Sequence, residues 1–328
     1  MGCINDKKGG KMKNILIIGG SYFAGKVFVE ELIKEKKYNI YVFNRGNRPL
    51  NKDITEIKGN RENEENIKDN IPDKEWDVLV DFCAYTPDHI SKMINNLPGS
   101  LKHYIFISTT SIYKNVFDIP VIEDAPKLNA SQPELGPYAD YGYHKWLAEC
   151  RLKEDCTKKG IAFTCLRPSI IYGEYNYAPR ETWFFDQIRD EKEIVLPDPG
   201  LALFSFVYVV DLAHILIKSL LNKNMFGREL NVASEELISY IKFYDILRKI
   251  SGRDFKTDTM NFETINKKRI MIPFPPDLHL VYSGKKLQEI LDFKFIPFID
   301  GMKRTYDYYQ MVQNIKLLKA NNSIGKEI

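Results

Sequence analysis

Two short patterns in the sequence have residue types and spacing that suit redox chemistry on a bound dinucleotide. The first is a glycine-rich turn from Gly19 to Gly25, directly after the strand-like apolar run 15–18. The second is Tyr141 followed one helical turn later by Lys145. Either pattern alone is unspecific, because other strand-to-helix turns also use glycine and 19 tyrosines make chance Tyr-x-x-x-Lys matches common. Together, in this order, they predict chemistry that uses a nucleotide cofactor.

The glycine-rich turn is expected to bind the pyrophosphate of that cofactor. A parallel strand that turns sharply into a helix presents the first helical N–H groups to an anion, and a Cβ atom there would block the approach. The next segments read as a helix ending near Lys34 and a second strand at 38–43, which is the context that the motif requires. The predicted cofactor-binding residues of the turn are Gly19, Gly20, Ser21, Tyr22, Phe23, Ala24 and Gly25.

Tyr141 and Lys145 are expected to handle a proton. Residues at this spacing share one helix face, so the ammonium of Lys145 would favour the phenolate of Tyr141. A phenol with a pKa of about 10 becomes a useful acid or base near neutral pH only with such help. A hydroxyl of Thr109 or Thr110, at the end of a predicted strand, would hold the substrate oxygen beside Tyr141. The residues alone leave the choice between the two threonines open.

The elements that must place these residues alternate between strands and helices. Further strands are predicted at 54–60, 76–82, 103–108, 163–167 and 204–209, with helices at 89–97, 141–158 and 300–318. This alternation predicts an α/β fold with a doubly wound parallel sheet. Ligands of such sheets bind beyond the carboxyl ends of the strands, where Ser21, Arg45, Ala84, Thr109 and Thr110 would converge.

A Rossmann domain with a smaller C-terminal substrate lobe is predicted from the changing composition along the chain. Residues 172–203 and 226–300 contain more proline, aromatic and mixed polar residues than the rest. The predicted boundaries are 1–11 for a disordered extension, 12–171 and 204–225 for the Rossmann domain, 172–203 and 226–318 for the lobe, and 319–328 for a tail.

Composition excludes several classes of function. With 47 basic and 44 acidic residues the net charge is only +3, which gives no support for a nucleic-acid or membrane partner. The 5 cysteines form neither CxxC pairs nor a metal-ligand spacing, so they read as reduced thiols of a cytoplasmic protein without a metal site. The apolar run 201–221 is interrupted by Asp211, His214 and Lys218, which argues against a membrane span.

The two patterns, combined with later stretches, resemble the extended short-chain dehydrogenase/reductase family of NAD(P)-dependent nucleotide-sugar epimerases, dehydratases and reductases. The stretches are 104–113 with its Ser/Thr-rich strand end, 166–173, and 206–213 with its Asp-containing helix start. The resemblance covers roughly residues 13–300. It implies catalysis by Thr109, Tyr141 and Lys145, with Thr109 chosen over Thr110 by its position in the motif. It also implies a nucleotide-sugar substrate for an epimerase or reductase, and makes a homodimer possible.

Departures from the family pattern refine this expectation. Tyr22 stands where the family has its middle glycine, as in an atypical subgroup that includes chloroplast RNA-binding relatives. The second strand ends without an Asp or Glu for a ribose hydroxyl, whereas Arg45 and Arg48 could meet a 2′-phosphate, which favours NADP over NAD. Thr110 and Ser111 replace the Asp-Glu pair of sugar dehydratases, so dehydration is disfavoured. The remaining predicted cofactor residues are Asn44, Arg45, Arg48, Asn60 and Ala84.

Residues of the lobe are expected to bind the substrate. Arg180 could pair with a phosphate and Trp183 could stack on a base, although a salt bridge and a core position are equally compatible with the pattern. Thr110 and Tyr172 complete the predicted substrate set. Two alternatives stay open: a non-catalytic RNA-binding or cofactor-sensing protein on the same fold, and a carbonyl reductase of a small apolar substrate with a pocket formed by Tyr172, Phe184 and Phe185.

Overall fold

The computed structural model of this protein describes residues 11–114 and 118–324, with side chains up to residue 318. The strands in these residues are β1 (Lys13–Ile18), β2 (Tyr38–Asn44), β3 (Thr55–Lys58), β4 (Lys74–Asp81), β5 (Gly99–Ile107), β6 (Ala162–Pro168), β7 (Ile170–Tyr172), β8 (Ile194–Asp198), β9 (Leu203–Tyr208), β10 (Arg228–Val232), β11 (Leu237–Ser239) and β12 (Thr257–Asn261). The α-helices are α1 (Phe23–Lys34), α2 (Glu64–Asn70), α3 (Pro87–Asn96), α4 (Tyr141–Lys159), α5 (Glu181–Arg189), α6 (Val209–Ser219), α7 (Tyr240–Ser251), α8 (Phe262–Lys267), α9 (Lys285–Leu291) and α10 (Phe298–Ile324).

A central sheet of seven parallel strands has the order β10-β6-β5-β4-β1-β2-β3. The order reverses direction at β1, where chain connections leave toward both edges. Such a reversal opens a crevice at the carboxyl ends of the strands, which is where ligands of doubly wound sheets bind.

Both faces of this sheet are covered because its strands are apolar at consecutive positions. Ile15 and Ile17 of β1 pack in a core with α1 and α6, whereas Leu16 and Ile18 pack in a second core with α3 and α4. Side chains of a strand alternate between faces, so a continuous apolar run requires helices on each side. The predicted doubly wound α/β fold is therefore confirmed.

The smaller lobe is built around aromatic side chains. Two small sheets, β11-β9-β7 and β12-β8, are joined to α5, α7 and α10 in this part of the chain. Its fully buried aromatic residues include Phe184, Phe204, Phe206, Phe243 and Phe274. Ring pairs at centroid distances of 5.4 Å (Phe206 and Phe274) and 5.0 Å (Phe184 and Phe243) give this core its tilted and edge-to-face packing.

The predicted boundaries require three corrections. Strand β9 lies almost entirely in the range 204–225 assigned to the Rossmann domain, yet it belongs to the small sheet β11-β9-β7. Strand β10 lies in the range 226–318 assigned to the lobe, yet it pairs with β6 at the edge of the central sheet. The chain returns to the sheet because Leu230 and Val232 are fully buried there. Helix α10 continues to Ile324, past the predicted end at residue 318. Of the predicted extension 1–11, only Lys11 lies within the described residues.

A buried ion pair joins α4 to the central sheet. Arg167 of β6 bonds both carboxylate oxygens of Glu149 at 2.6–3.1 Å and also bonds Glu229 at 2.9 Å. The side chains of Arg167 and Glu149 are 0% and 1% exposed. Tyr113 accepts a further hydrogen bond from the guanidinium at 3.0 Å. Because these donors and acceptors are mutually satisfied, the pair fixes the helix that begins at Tyr141.

Replacement of Arg167 by methionine would test this network. Arg167→Met leaves the carboxylate of Glu149 buried without its cation, so we expect the free energy of unfolding to fall by about 3–5 kcal/mol in urea titrations followed by circular dichroism. Arg151→Met is the control, since Arg151 lies on α4 with its side chain 43% exposed, and it should change stability by less than about 1 kcal/mol. Equal effects of the two variants would contradict the structural role given to the buried pair.

Candidate active site

A cleft of about 650 Å³ opens at the carboxyl ends of β1, β2, β3 and β4. Its walls come from segments far apart in the sequence, which the parallel sheet brings to one edge. The predicted cofactor residues among its lining are Gly19, Ser21, Tyr22, Asn44, Arg45, Arg48 and Asn60. The lining residues that the sequence analysis did not assign to a site include Arg61, Cys83, Tyr85 and His89.

The glycine-rich turn leaves no room for side chains at two positions. Gly19 has a φ of +89°, and a Cβ atom there would lie 2.1 Å from the Sγ of Cys83. A Cβ atom on Gly25 would lie 2.4 Å from the carbonyl oxygen of Gly19. The first turn of α1 therefore approaches the end of β1 closely, and Gly19, Ser21 and Tyr22 of the turn line the cleft. This arrangement suits an anionic pyrophosphate.

Tyr22, at the position of the family's middle glycine, points its side chain out of the turn. It has extended backbone with φ of −141°, and 41% of its surface is exposed. The guanidinium carbon of Arg48 lies 4.1 Å from the centre of its ring, and the ring of Tyr177 lies 4.8 Å away. The substitution thus adds an aromatic surface beside the turn without filling it.

The far end of the cleft carries hydrogen-bond donors. Asn44 accepts a bond from the N–H of Gly46 at 2.5 Å, while its buried Nδ2 has no partner among the described residues. The buried Nε of Arg61 likewise has none there, although the same guanidinium bonds Asp81 at 2.7 and 2.9 Å and the carbonyl of His89 at 2.8 Å. These two donors match the acceptor atoms of a ribose or a purine ring. The residues present therefore fit a dinucleotide.

Arg61 was not predicted as a site residue because its position in the cleft depends on an ion pair with Asp81. Burial acts to raise the pKa of the Asp81 carboxyl, but the charge and hydrogen bonds of Arg61 outweigh it and hold that pKa below its ordinary value. The hydroxyl of Tyr104 donates to the same carboxylate at 2.6 Å. The two charged partners come from different strand ends, and their pairing becomes visible only once β3 and β4 are placed. The position of Arg61 directly after the Gly59-Asn60 pair was the one local signal.

Lys145 is held by main-chain oxygens at the ends of β4 and β5. Its Nζ donates to the carbonyl of Ala84 at 2.9 Å and to that of Ile107 at 2.5 Å, and the residue is only 2% exposed. Burial lowers the pKa of Lys145 to about 8. Ala84 itself is buried and contributes this carbonyl.

Thr109 and Tyr141 come from neighbouring elements. Tyr141 begins α4, which packs against the short helical turn 110–112 that Thr109 caps. Desolvation of the phenol by the surrounding protein raises the pKa of Tyr141, whereas the Thr109 hydroxyl and the positive charge of Arg180 act to lower it. The predicted effect of Lys145 on the pKa of Tyr141 stays a prediction.

The two threonines occupy different environments. The Oγ1 of Thr109 accepts a bond from the N–H of Ser111 at 3.1 Å and faces Tyr141. The Oγ1 of Thr110 donates instead to the carbonyl of Pro168 at 3.3 Å. Of the two threonines, only the hydroxyl of Thr109 acts on the pKa of Tyr141.

The lobe residues predicted to bind substrate are placed in two ways. Arg180 immediately precedes α5, where its charge acts on Tyr141. Tyr172 is 2% exposed, and its ring packs against Phe206 and Phe298, so it belongs to the aromatic core rather than to a pocket wall. Trp183 stands edge-on to Phe184 at 4.9 Å and packs against the same core. Tyr172 and Trp183 pack against the aromatic core because neighbouring segments supply apolar partners there.

Neither a metal-ion cluster nor a membrane-spanning helix is present in the described residues. No group of three or more His, Cys, Asp and Glu side chains in that part of the chain is arranged to hold a metal ion. Among its helices, none combines the length and apolar character needed to cross a membrane.

Comparison with known proteins agrees with this geometry. A model of the NAD dependent epimerase/dehydratase family matches residues 15–233. The chain belongs to this family. The family resemblance expected from the sequence is therefore confirmed, as is the prediction of an enzyme at the level of an NAD-dependent epimerase/dehydratase.

Individual relatives of this epimerase/dehydratase chain are distant. The chain is 24% identical over 315 residues to the chloroplast stem-loop binding protein of 41 kDa b of Arabidopsis thaliana, covering 90% of this chain and 79% of the relative. It is 23% identical over 280 residues to the UDP-glucose 4-epimerase of Lactobacillus helveticus, covering 73% of this chain and 82% of that one.

Solved structures of the same fold include two epimerase complexes. The UDP-glucose 4-epimerase of Thermotoga maritima with UDP-glucose has a TM-score of 0.73 at 19% identity, covering 92% of this chain and 99% of the other. The UDP-glucuronic acid 4-epimerase of Bacillus cereus, in complex with UDP-glucuronic acid and NAD, has a TM-score of 0.71 at 19% identity, covering 91% and 99%. At this identity the likeness concerns the fold.

The depressed pKa of Lys145 predicts a pH-dependent stability. Its pKa is 10.5 in the unfolded chain and about 8 in the folded protein, so between these values the unfolded state binds more protons. Raising the pH through this window therefore stabilises the wild type relative to Lys145→Met, by at most about 1.4 kcal/mol per pH unit. Urea titrations at pH 7 to 10 measure this difference.

The control for this experiment is Lys153→Met on the same helix, where the side chain is 64% exposed. Its stability difference from the wild type should stay constant over the same pH range. A constant difference for Lys145→Met as well would show that the buried ammonium keeps an ordinary pKa.

Proposed function

We propose that this protein is an NAD(P)-dependent epimerase or reductase that acts on a nucleotide-linked sugar or a related hydroxy/keto compound. The observation that supports this most is the cleft formed by the glycine-rich turn, together with the buried Nζ of Lys145, which the carbonyls of Ala84 and Ile107 hold at the same edge of the sheet. A bound nicotinamide would supply hydride transfer. The residues proposed to hold the dinucleotide are those of the turn, with Asn44, Arg45, Arg48 and Asn60 along the cleft.

In the proposed mechanism, Tyr141 exchanges a proton with the substrate oxygen at its phenolic Oη. Thr109 orients that oxygen by a hydrogen bond, and the charge of Arg180 favours the phenolate that forms. Lys145, held between two carbonyls, would offer its ammonium to the ribose of the cofactor. The remaining contribution of the protein is to align these groups and shield them from water.

Preference for NADP is the finer part of the cofactor proposal. Arg45 and Arg48 are exposed at the rim of the cleft beyond the end of β2. Neither arginine forms an ion pair with a carboxylate within the described residues. Two such cations, together with an asparagine at the last position of β2, favour a phosphate over a free ribose hydroxyl.

A nucleotide sugar is the proposed substrate because two relatives of the same fold are named as complexes with UDP-glucose and UDP-glucuronic acid. Arg180, beside Tyr141, is proposed to meet an anionic group of such a substrate. We further propose a cytoplasmic homodimer that pairs through α4, where Trp146 and Leu147 are partly exposed.

Of the alternatives, RNA binding keeps one supporting observation. The relative from Arabidopsis thaliana is named as a stem-loop binding protein and matches 90% of this chain. The Thr109, Tyr141 and Lys145 set argues for catalysis, and the near-balanced charge offers no electrostatic footprint for RNA. The reductase with an apolar pocket is disfavoured because Tyr172, Phe184 and Phe185 are at most 2% exposed.

Calorimetry of the purified protein with NAD(H) and NADP(H), followed by assays with UDP-, GDP- and dTDP-sugars, tests the proposal. Tyr141→Phe should retain the dinucleotide Kd of the wild type and reduce turnover by at least about 100-fold, because it removes the exchangeable proton. Tyr138→Phe, at a position 73% exposed, is the control and should stay active. Absence of dinucleotide binding in the wild type would contradict the enzyme proposal and favour the RNA-binding alternative.

The cofactor preference has a separate test. Arg48→Gln should raise the Kd for NADP by about tenfold or more, because a charge-assisted bond to the 2′-phosphate is lost, while the Kd for NAD stays nearly constant. Lys52→Gln, also exposed on the segment after β2, is the matched control. If Arg48→Gln raised the Kd of NAD and of NADP equally, Arg48 would contact a portion of the cofactor that both dinucleotides share, and the NADP preference would lose this support.

A further inference from the structure

The loop 173–180 lies between the glycine-rich turn and the catalytic phenol. Its Tyr177 packs against Tyr22 at a centroid distance of 4.8 Å and against Phe23 at 6.1 Å. The conformation of this loop therefore sets an aromatic cover on the turn.

A single buried carboxylate ties this loop together. Glu181, the first residue of α5, is 1% exposed. Its Oε1 accepts bonds from the N–H of Gly173 at 3.1 Å and from the Nδ2 of Asn176 at 2.9 Å, and its Oε2 lies 3.1 Å from the same Nδ2. The Oδ1 of Asn176 in turn accepts a bond from the N–H of Ala178 at 3.0 Å. The chain of bonds thus runs from the start of the loop to the residue after Tyr177.

Burial of the Glu181 carboxylate lowers the stability of the folded protein relative to an apolar side chain at the same position. A buried carboxylate is unfavourable unless donors satisfy it, and a leucine or methionine would fill the same volume without that cost. Both oxygens of Glu181 have N–H partners, all of them in the loop that precedes it. Two other side-chain bonds hold the first half of the loop: the hydroxyl of Tyr175 donates to Glu30 at 3.2 Å, and Glu174 accepts a bond from the hydroxyl of Tyr208 at 2.5 Å. Neither bond involves the segment 176–180, where Tyr177 lies.

We propose that Glu181 is a positioning residue of the active site. It holds Gly173 and Asn176 so that Tyr177 rests on Tyr22 beside the glycine-rich turn. Glu181 acts through the loop and touches neither cofactor nor substrate. This inference rests on the proposed function, because the turn that Tyr177 covers is proposed to bind the dinucleotide.

A double-mutant cycle between Glu181 and Tyr177 tests the inference. Glu181→Gln replaces one acceptor oxygen by an amide donor that faces the donors of Gly173 or Asn176, so the loop loses its anchor. We expect the dinucleotide Kd to rise about tenfold and kcat to fall with it. In the Tyr177→Ala background the same substitution should leave the Kd nearly unchanged, since the contact it maintains is already absent.

Amide hydrogen exchange of residues 173–180 provides a readout that needs no ligand. Exchange should accelerate in Glu181→Gln while the Tm stays within a few degrees of the wild type. Glu193→Gln, an exposed carboxylate after α5, is the control and should change neither quantity. If Glu181→Gln does not fold, Asn176→Ala enters the same cycle, because it removes the loop side of the bond.

Wild-type Kd and loop exchange in Glu181→Gln would overturn the inference, as would equal Kd effects with and without Tyr177, which indicate general destabilisation. A wild type that binds no dinucleotide contradicts the proposed function instead. In that case faster loop exchange in Glu181→Gln would still support the anchoring, and unchanged exchange would overturn it.

Discussion

The close approach of α1 to β1 is the constraint on which the rest of the site depends. Gly25 sits so near the carbonyl of Gly19 that a single methyl group would separate the helix from the strand. The next residue after the turn's Tyr22, Phe23, has a φ of +33°, which is a strained value for a residue with a side chain. Such strain persists only where the surrounding packing holds it, and here α6 supports α1 from the other side.

Once that turn is fixed, the cleft divides into ends of different electrostatic character. At the end formed by β2 and β3, the charge of Arg61 inside the cleft is balanced by Asp81, and the exposed charges of Arg45 and Arg48 lie at the rim. At the end formed by α4, the buried ammonium of Lys145 is bonded to neutral carbonyls, so its charge is not balanced by an ion pair among the described residues. One end thus suits recognition of a ligand, and the other suits a change of charge during reaction.

The sequence could predict those features that depend on neighbouring residues. The glycine-rich turn, the apolar strands and the α4 pair are local patterns, and the alternation of strands and helices then determines which strand ends meet. Tyr172 could not be assigned correctly, because its burial depends on Phe206 and Phe298 from distant segments. The Arg61 to Asp81 pair and the contacts of Glu181 were missed for the same reason. An isolated charged residue carries no periodicity, so only the folded chain reveals its partner.

The return of β10 to the central sheet affects how the chain can acquire its fold during synthesis. The edge strand that completes the sheet ends at Val232, and the segments of the lobe that contain β7, β8 and β9 precede it in the sequence. A ribosome synthesises the chain from its N-terminus at about 5–20 residues per second. Strand β6 is therefore complete several seconds before β10, the strand that pairs with its edge, has been made. During that interval the nascent chain presents an unpaired strand edge to other polypeptides. A fragment that ends before β10 would lack this strand, so the edge of β6 would stay unpaired.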